Sequence, residues 1–450
     1  MTVSHIPPHA GEVTVEVPPD AATGRPGKLP PVWRNPDFAR LWLAQGLSHT
    51  VQNAVWFALW ILVEERTHST TQISIAIITS VLPSVLLGPL SGVVIDRMNK
   101  RTVLVWTMLL RIPTILGFML YDVSLGLLYS TNFLFNAIGQ FFAPAEGAKI
   151  PLLVRKEQLI DANSLFNITF TIGQFLGLVI IGPTLVKLAQ PEAAFLLAAV
   201  VFAICLVLLW QLPAQEPPTP SLAARRKETV ARDLWHEVVD GWRFVTQDRH
   251  TTLALAHLTL AAVLTLVMPA LAPRFAVAVL DITAADAIWV LAPAGVGLFA
   301  GTSVVPALSK RRGKLRVIRF GLLVMALFLA VLAMVRGVAD FLAGTLLLGA
   351  AEGVHHTLGV VPFVMVITFI VGFCMALVSV PAQTVLMERA PDEKRGRVLS
   401  TQFMLSNLIS TVLLLALGGL ADLTGINQVL AVLSTGVFVL WLLTLRLVRE

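Results

Sequence analysis

Polar side chains recur at helical spacing inside otherwise apolar stretches of this chain. His49, Asn53, Trp56 and Trp60 follow one another at steps of four, three and four, which puts them on one face of a helix. Asn132, Asn136 and Gln140 repeat the pattern, as do Asn163, Asn167, Thr171 and Gln174. Further along come Ser379 with Gln383, then Gln402, Ser406 and Ser410 beside Asn407. Amides, hydroxyls and indole rings of this kind hold a ligand by hydrogen bonds and stacking. The plainer reading of each stripe is hydrogen bonding between neighbouring helices, which membrane bundles use routinely.

Three titratable residues stand out among them. Arg111 lies near the middle of an apolar stretch, where a charge is costly unless paired or hydrated. It either meets an anionic group of a ligand or bonds carbonyls and locks neighbouring helices. At 1.5 Å of rise per residue, it comes level with His49, Gln140, Thr171 and Asn407. His49, with an ordinary pKa of about 6.5, is one candidate for carrying a proton. Glu146 is the other, unless it pairs with Arg155 or Lys149. Glu352 and His356 share a helix face as a metal pair would, but two ligands are too few to specify a site, and no metal is expected. The Gly-rich loop ending in Gly-Lys-Ser/Thr that ATP hydrolysis uses is missing.

The elements that position these residues must be membrane helices. Hydrophobic residues make up 56% of the 450 positions and charged residues 13%, with a mean hydropathy of +0.79. That composition excludes an ordinary soluble protein. The apolar stretches are continuous rather than short and alternating, so helices are favoured over a barrel. The pattern predicts an all-α membrane protein with twelve spans, at about 38–63, 71–95, 102–121, 123–145, 162–186 and 193–212, then 251–273, 287–309, 317–335, 359–387, 398–421 and 426–445. The gap from Pro213 to His250 divides them six and six.

Four domains follow from this map. Residues 1–32 form a polar, Pro-rich disordered tail with no cleavable signal peptide. Residues 33–212 form a first bundle, 213–250 a linker, and 251–450 a second bundle. In the linker, Leu234, Val238, Trp242 and Val245 recur at helical spacing, which predicts a helix lying on the membrane face. Phe341 to Ala351 is apolar but too short to span, and reads as a cap on the outer surface. With both termini cytoplasmic, 28 of the 33 Lys and Arg fall on that side, leaving Arg66, Lys187, Arg274 and Arg336 outside and Arg111 within a span. This bias sets the orientation. The net charge of +6 therefore reads as topology, with no nucleic acid as partner. Cys205 and Cys374 fall in apolar spans and read as small core residues.

The uncharged stretch Thr71 to Ile95 ends in Gly92-Val93-Val94-Ile95-Asp96-Arg97-Met98-Asn99-Lys100-Arg101. Gly92, one turn before Asp96, offers a close packing surface. Asp96 suits the positive N-terminal end of a neighbouring helix. Arg97, Lys100 and Arg101 hold the turn at the cytoplasmic face. Leu41-Trp42-Leu43-Ala44-Gln45, Pro144-Ala145, Pro151-Leu152-Leu153-Val154, Ala162-Asn163 and Pro391-Asp392-Glu393-Lys394-Arg395-Gly396-Arg397-Val398 complete the pattern. Together they resemble the major facilitator superfamily over nearly all of the chain after Pro31. More narrowly, they resemble its bacterial exporter branch, which includes enterobactin and macrolide efflux proteins.

The resemblance implies two pseudo-symmetric six-helix bundles in a bacterial cytoplasmic (inner) membrane, working by alternating access. It implies that Asp96 docks near Arg395 and Arg397 at the start of the eleventh helix. It places helices 1, 4, 5, 7, 10 and 11 around a central cavity, where the polar stripes fall, and it favours the locking role for Arg111. The chain also departs from the pattern: Val51-Gln52 and Met108 stand where related exporters often carry acids, Val186-Lys187 replaces a Gly pair, and no acid accompanies Lys310-Arg311-Arg312-Gly313-Lys314. Conventional proton antiport therefore lacks its usual groups, and coupling falls to His49 or Glu146, or transport is uncoupled or coupled otherwise. The expected activity is export of small amphipathic molecules by a monomer without a cofactor, and not an enzymatic reaction. Lipid or lysolipid flipping by the same fold, and a non-transporting receptor or scaffold, are the rival readings.

Overall fold

The computed structural model describes residues 30–120, 124–214, 249–335, 337, 360–389 and 395–447. The expected linker helix, the segment around Glu352 and His356, and nearly all of the expected tail lie outside the described residues. Every described element is helical: α1 (Pro36–Thr67), α2 (Thr70–Arg97), α3 (Lys100–Gly117), α4 (Leu125–Gly139), α5 (Phe142–Leu153), α6 (Leu159–Phe175), α7 (Gly182–Trp210), α8 (Arg249–Ala278), α9 (Ile288–Arg312), α10 (Lys314–Ala333), α11 (Val361–Arg389), α12 (Arg395–Thr424) and α13 (Ile426–Leu447). Short polar side chains start the early helices. Asn35 accepts from the amides of Asp37 and Phe38, and Ser69, Asn99 and Ser124 cap α2, α3 and α4. Gly313 and Gly425, at φ 84° and 98°, form one-residue joints between α9 and α10 and between α12 and α13, a conformation glycine adopts without a Cβ clash.

Among the described residues, nine helical stretches are long and apolar enough to cross a membrane, against the twelve expected. Helix α1 has 32 residues but carries Gln45, His49, Gln52 and Asn53 in its middle. The expected span 123–145 is divided into α4 and α5, with 15 and 12 residues. The break falls at Gln140 and Phe141, because Pro144 has no amide hydrogen for the Gln140 carbonyl. Asp161–Trp210 runs as one stretch of 50 residues. Within it, Ala189 and Gln190 leave helical geometry just before Pro191. A π-helical turn, Leu176–Ile181, joins α6 to α7. It precedes Pro183, whose ring and missing donor disturb the ordinary ladder.

Helices α1 to α7 pack on one another, chiefly α1 on α6 and α7, α3 on α7, and α2 on α4. Helices α8 to α13 form the second bundle, chiefly α9 on α11, α10 on α11 and α13, and α8 on α12. Phe118, Phe135, Phe195 and Phe202 stack at the centre of the first bundle, with ring centroids 5.3 to 6.0 Å apart. Close approach sets the α1 contact, since a Cβ on Gly177 would lie 2.0 Å from the Thr50 carbonyl oxygen. Between the bundles, α2 packs against α12 and α8, and α1 against α8. Large apolar residues such as Trp106, Phe299 and Phe320 are exposed around the outside, a surface made for lipid. The chain is a multi-pass membrane protein. The end carrying Asn35, Leu153 and Gly313 is called terminal below, and the end carrying His68, Leu280 and Gly425 distal.

Candidate functional site

The α1 stripe meets α6 at His49 and the π-helical turn at Asn53. Asn53 is buried and donates to the His49 carbonyl at 2.8 Å. The His49 ring stacks on Phe170, with centroids 3.8 Å apart and 20° between planes. Trp42 Nε1 donates to Thr169 Oγ1 at 2.7 Å, so α1 and α6 are tied in two places. Trp56 is half-buried and Trp60 buried, and both indole Nε1 atoms are buried without a hydrogen-bond partner among the described residues. Such donors are costly to leave unpaired and are suited to an acceptor that arrives with a ligand. On α6, Asn163, Asn167, Thr171 and Gln174 are all exposed. In the second bundle, Gln383, Gln402 and Asn407 are half-buried, while Ser406 is buried between Thr259 Oγ1 at 3.1 Å and Gln402 Nε2 at 3.3 Å.

The α4 stripe goes elsewhere. Asn132 donates to the Ala76 carbonyl at 2.7 Å and to Thr79 and Ser80, and Asn136 bonds back to Asn132 at 2.8 Å. Asn132 is buried in the contact between α2 and α4, Asn136 is buried and bonds within α4, and only Gln140, at the helix break, is half-exposed. Arg111 is also interior, 3% exposed. Its guanidinium carbon lies 5.1, 5.9 and 5.5 Å from the ring centroids of Phe135, Phe142 and Phe202. It presses on Gly139, where a Cβ would meet Nη2 at 2.1 Å. Those rings come from α4, α5 and α7, so one cation gathers four helices.

At the terminal end, the side chains of Asp96, Arg97, Arg395 and Arg397 lie outside the described residues. Gly92 is exposed, and a Cβ there would meet nothing within 4 Å among the described residues. Lys100 is buried at the start of α3. Arg101 donates to the Trp210 carbonyl and sits over the Trp210 ring at 5.8 Å. Asn99 bonds the Ala214 carbonyl at 2.7 Å, and Lys149 the Pro213 carbonyl at 3.1 Å. Arg101 of the motif thus grips the end of α7, and Asn99 and Lys149 hold the residues that follow it. Glu146 is buried, with Oε1 unpartnered among the described residues.

Sequence reasoning missed the distal end. Asp422 of α12 accepts from the Thr70 and Thr71 amides at 2.7 and 3.0 Å and from the Ser69 hydroxyl at 2.6 Å. Arg274 of α8 bonds the buried Glu64 of α1 at 3.3 Å. Lys187 of α7 pairs with Asp286. Each of these contacts joins the first bundle to the second. The signal in the sequence was the cap Ser69-Thr70-Thr71 at the start of α2.

A profile of the Major Facilitator Superfamily matches residues 41–360. The chain belongs to the major facilitator superfamily. It is 24% identical over 390 residues to the uncharacterized MFS-type transporter YfiS of Bacillus subtilis, covering 84% of each protein. Macrolide efflux protein A of Streptococcus pyogenes is 27% identical over 127 residues, 27% of this chain and 31% of that one. Among solved structures, the nucleoside transporter NupG superposes with a TM-score of 0.70 at 11% identity, over 92% of this chain and 99% of that chain. A bacterial homologue of the iron transporter ferroportin, solved in an inward-facing state, gives a TM-score of 0.65 at 16% identity, over 91% and 98%. At these identities the structural likeness speaks for the fold. Superfamily membership makes the chain a membrane transporter.

Proposed function

We propose that this transporter exports small amphipathic molecules across a bacterial inner membrane by alternating access. The observation that carries this reading is where the cross-bundle polar bonds fall. Asp422 with α2, Arg274 with Glu64, and Lys187 with Asp286 all join the halves at the distal end. Two separately packed bundles held by removable polar contacts are what alternating access requires. The charge bias puts the distal end outward and both termini inside. In this reading the outer side is sealed, and the exposed amides of α6 belong to the inward path.

The lining suits a bulky ligand with an apolar body and hydrogen-bond acceptors. Trp56 and Trp60 offer aromatic area and N–H donors without a partner among the described residues, on the same helix as His49. The partial likeness to a macrolide efflux protein supports a drug-like substrate. A single chain supplies both halves, so a monomer suffices. Asp96 docks on the start of α12 near Arg395 and Arg397 to close the inner side, and His49 or Glu146 carries any coupled proton.

The test is a panel of drugs and siderophores against an efflux-deficient host expressing the protein. Resistance to a subset of amphipathic compounds is expected. Trp56→Ala and Asn167→Ala should change which compounds are exported while membrane abundance holds. A panel that does not respond to well-expressed protein overturns the export reading. Variants that lose abundance alone return these residues to packing.

A further inference from the structure

At the terminal end of the second bundle, α8, α9, α10 and α11 border an open-mouthed cavity of about 600 Å³. Its lining carries Arg312, Lys314, Arg316 and Arg389 together with Glu388, which is bonded to Lys314; Arg316 and Arg389 hold contacts of their own besides. The first turn of α10 forms part of the wall. Gly313 turns the chain directly into that helix, and Lys314, Leu315 and Arg316 all line the cavity. Amides in a first turn have no intrahelical acceptor, and the helix dipole adds positive potential there.

Two buried polar atoms of the lining, His257 Nδ1 and Ser309 Oγ, have no partner among the described residues. His257 is 1% exposed. Its Nε2 lies 2.9 Å from Thr444 Oγ1, whose own hydrogen goes to the Leu440 carbonyl at 2.7 Å. Nε2–H therefore donates to Thr444, and in the neutral ring Nδ1 is an acceptor awaiting a hydroxyl.

We propose that this cavity is a binding site for a phosphate-bearing anion that also carries a hydroxyl. Phosphate oxygens match helix-start amides and guanidinium forks together. A P–OH or a neighbouring alcohol satisfies His257 Nδ1, and Ser309 donates to a remaining oxygen. The volume exceeds what bare phosphate needs and suits a phosphorylated small molecule or a lipid headgroup. The site is separate from the polar stripes and does not depend on what the transporter exports.

The experiment uses the full chain in nanodiscs, with thermal unfolding as the readout. In one arm, glycerol 3-phosphate or inorganic phosphate is titrated into phosphatidylcholine discs at constant ionic strength. In the other, phosphatidylglycerol replaces part of the phosphatidylcholine. Stabilisation in the first arm identifies a soluble ligand, and stabilisation in the second alone identifies a headgroup. Arg312→Gln with Arg316→Gln, both exposed positions, should weaken the response about tenfold. Lys310→Gln with Arg311→Gln removes the same charge from neighbours outside the lining and should leave it intact, while Ser309→Ala should weaken it without any change of charge. No stabilisation in either arm, or equal losses from the two double variants, overturns the site.

Discussion

Asp422, near the end of α12, accepts a 2.7 Å hydrogen bond from the backbone amide of Thr70, the first residue of α2. A carboxylate from one bundle thus sits on the helix start of the other, where unpaired amides and the dipole favour it. With the proposed docking of Asp96, the α2 and α12 pair becomes reciprocal. Asp96 ends α2 and is proposed to meet the start of α12, whereas Asp422 ends α12 and meets the start of α2.

Asp422→Asn keeps the shape but removes the charge at this exposed junction. The change should weaken the sealed state by about 1 kcal/mol, or roughly fivefold in its population. A cysteine replacing Ser74 reports it, because Ser74 is buried and Gly418 lies against it. Labelling of Ser74→Cys by an impermeant thiol reagent from outside should rise when Asp422→Asn is added. Unchanged labelling would remove Asp422 from the gate.

Glu64 and Arg274 make a lopsided pair: the carboxylate side chain is 1% exposed and the arginine 33%. Arg274→Ala strands a buried carboxylate, whose Oε2 already has no partner among the described residues. It should lower stability by about 2 kcal/mol. Adding Glu64→Gln should recover much of that loss, since no charge then remains to be desolvated. Thermal unfolding of both single variants and the double decides it, and simple additivity would argue against the pair.

Arg111 should behave as a packing centre. Arg111→Ala removes a cation from three rings and leaves a void among four helices, so folded yield should fall sharply. Gly139→Ala drives a methyl into the guanidinium and should cost about 1–3 kcal/mol by overpacking. If Arg111→Met folds normally and loses export of anionic compounds alone, the residue reads the substrate instead.

Proton coupling is checked in proteoliposomes by following pH as substrate is added. Substrate-driven proton movement in the wild type should disappear in His49→Gln or Glu146→Gln. Persistence in both variants would clear both residues. A silent wild type would point to a facilitator or another coupling ion.

Much of the fold could be read from hydropathy, because a span must satisfy its own backbone and shows as an uncharged run. The division of 125–153 was written in Pro144, yet local apolarity masked it. Helical spacing put Asn132 and Asn136 on one face without saying which neighbour that face meets. The structure spends Asn132 on the α2 contact and ties Asn136 back to Asn132. Arg111 could be singled out by position, but its rings come from Phe135, Phe142 and Phe202, which no periodicity connects. Asp422 and Thr70 are 352 residues apart, and only the packing of α2 on α12 brings them together.

Gly177 leaves no gap between α1 and the π-helical turn, and His49 is already stacked on Phe170 about two turns earlier along the same rod. The π-helical turn and α6 are thus packed directly on α1 at two levels. From Phe170 to Lys187 that rod measures roughly 25 Å at 1.5 Å per residue. In the proposed export cycle, a ligand on the indoles of α1 would push on the element whose far tip carries Lys187, which holds Asp286. On that reading, occupancy in the middle of the membrane would act as tension on a clasp at its edge.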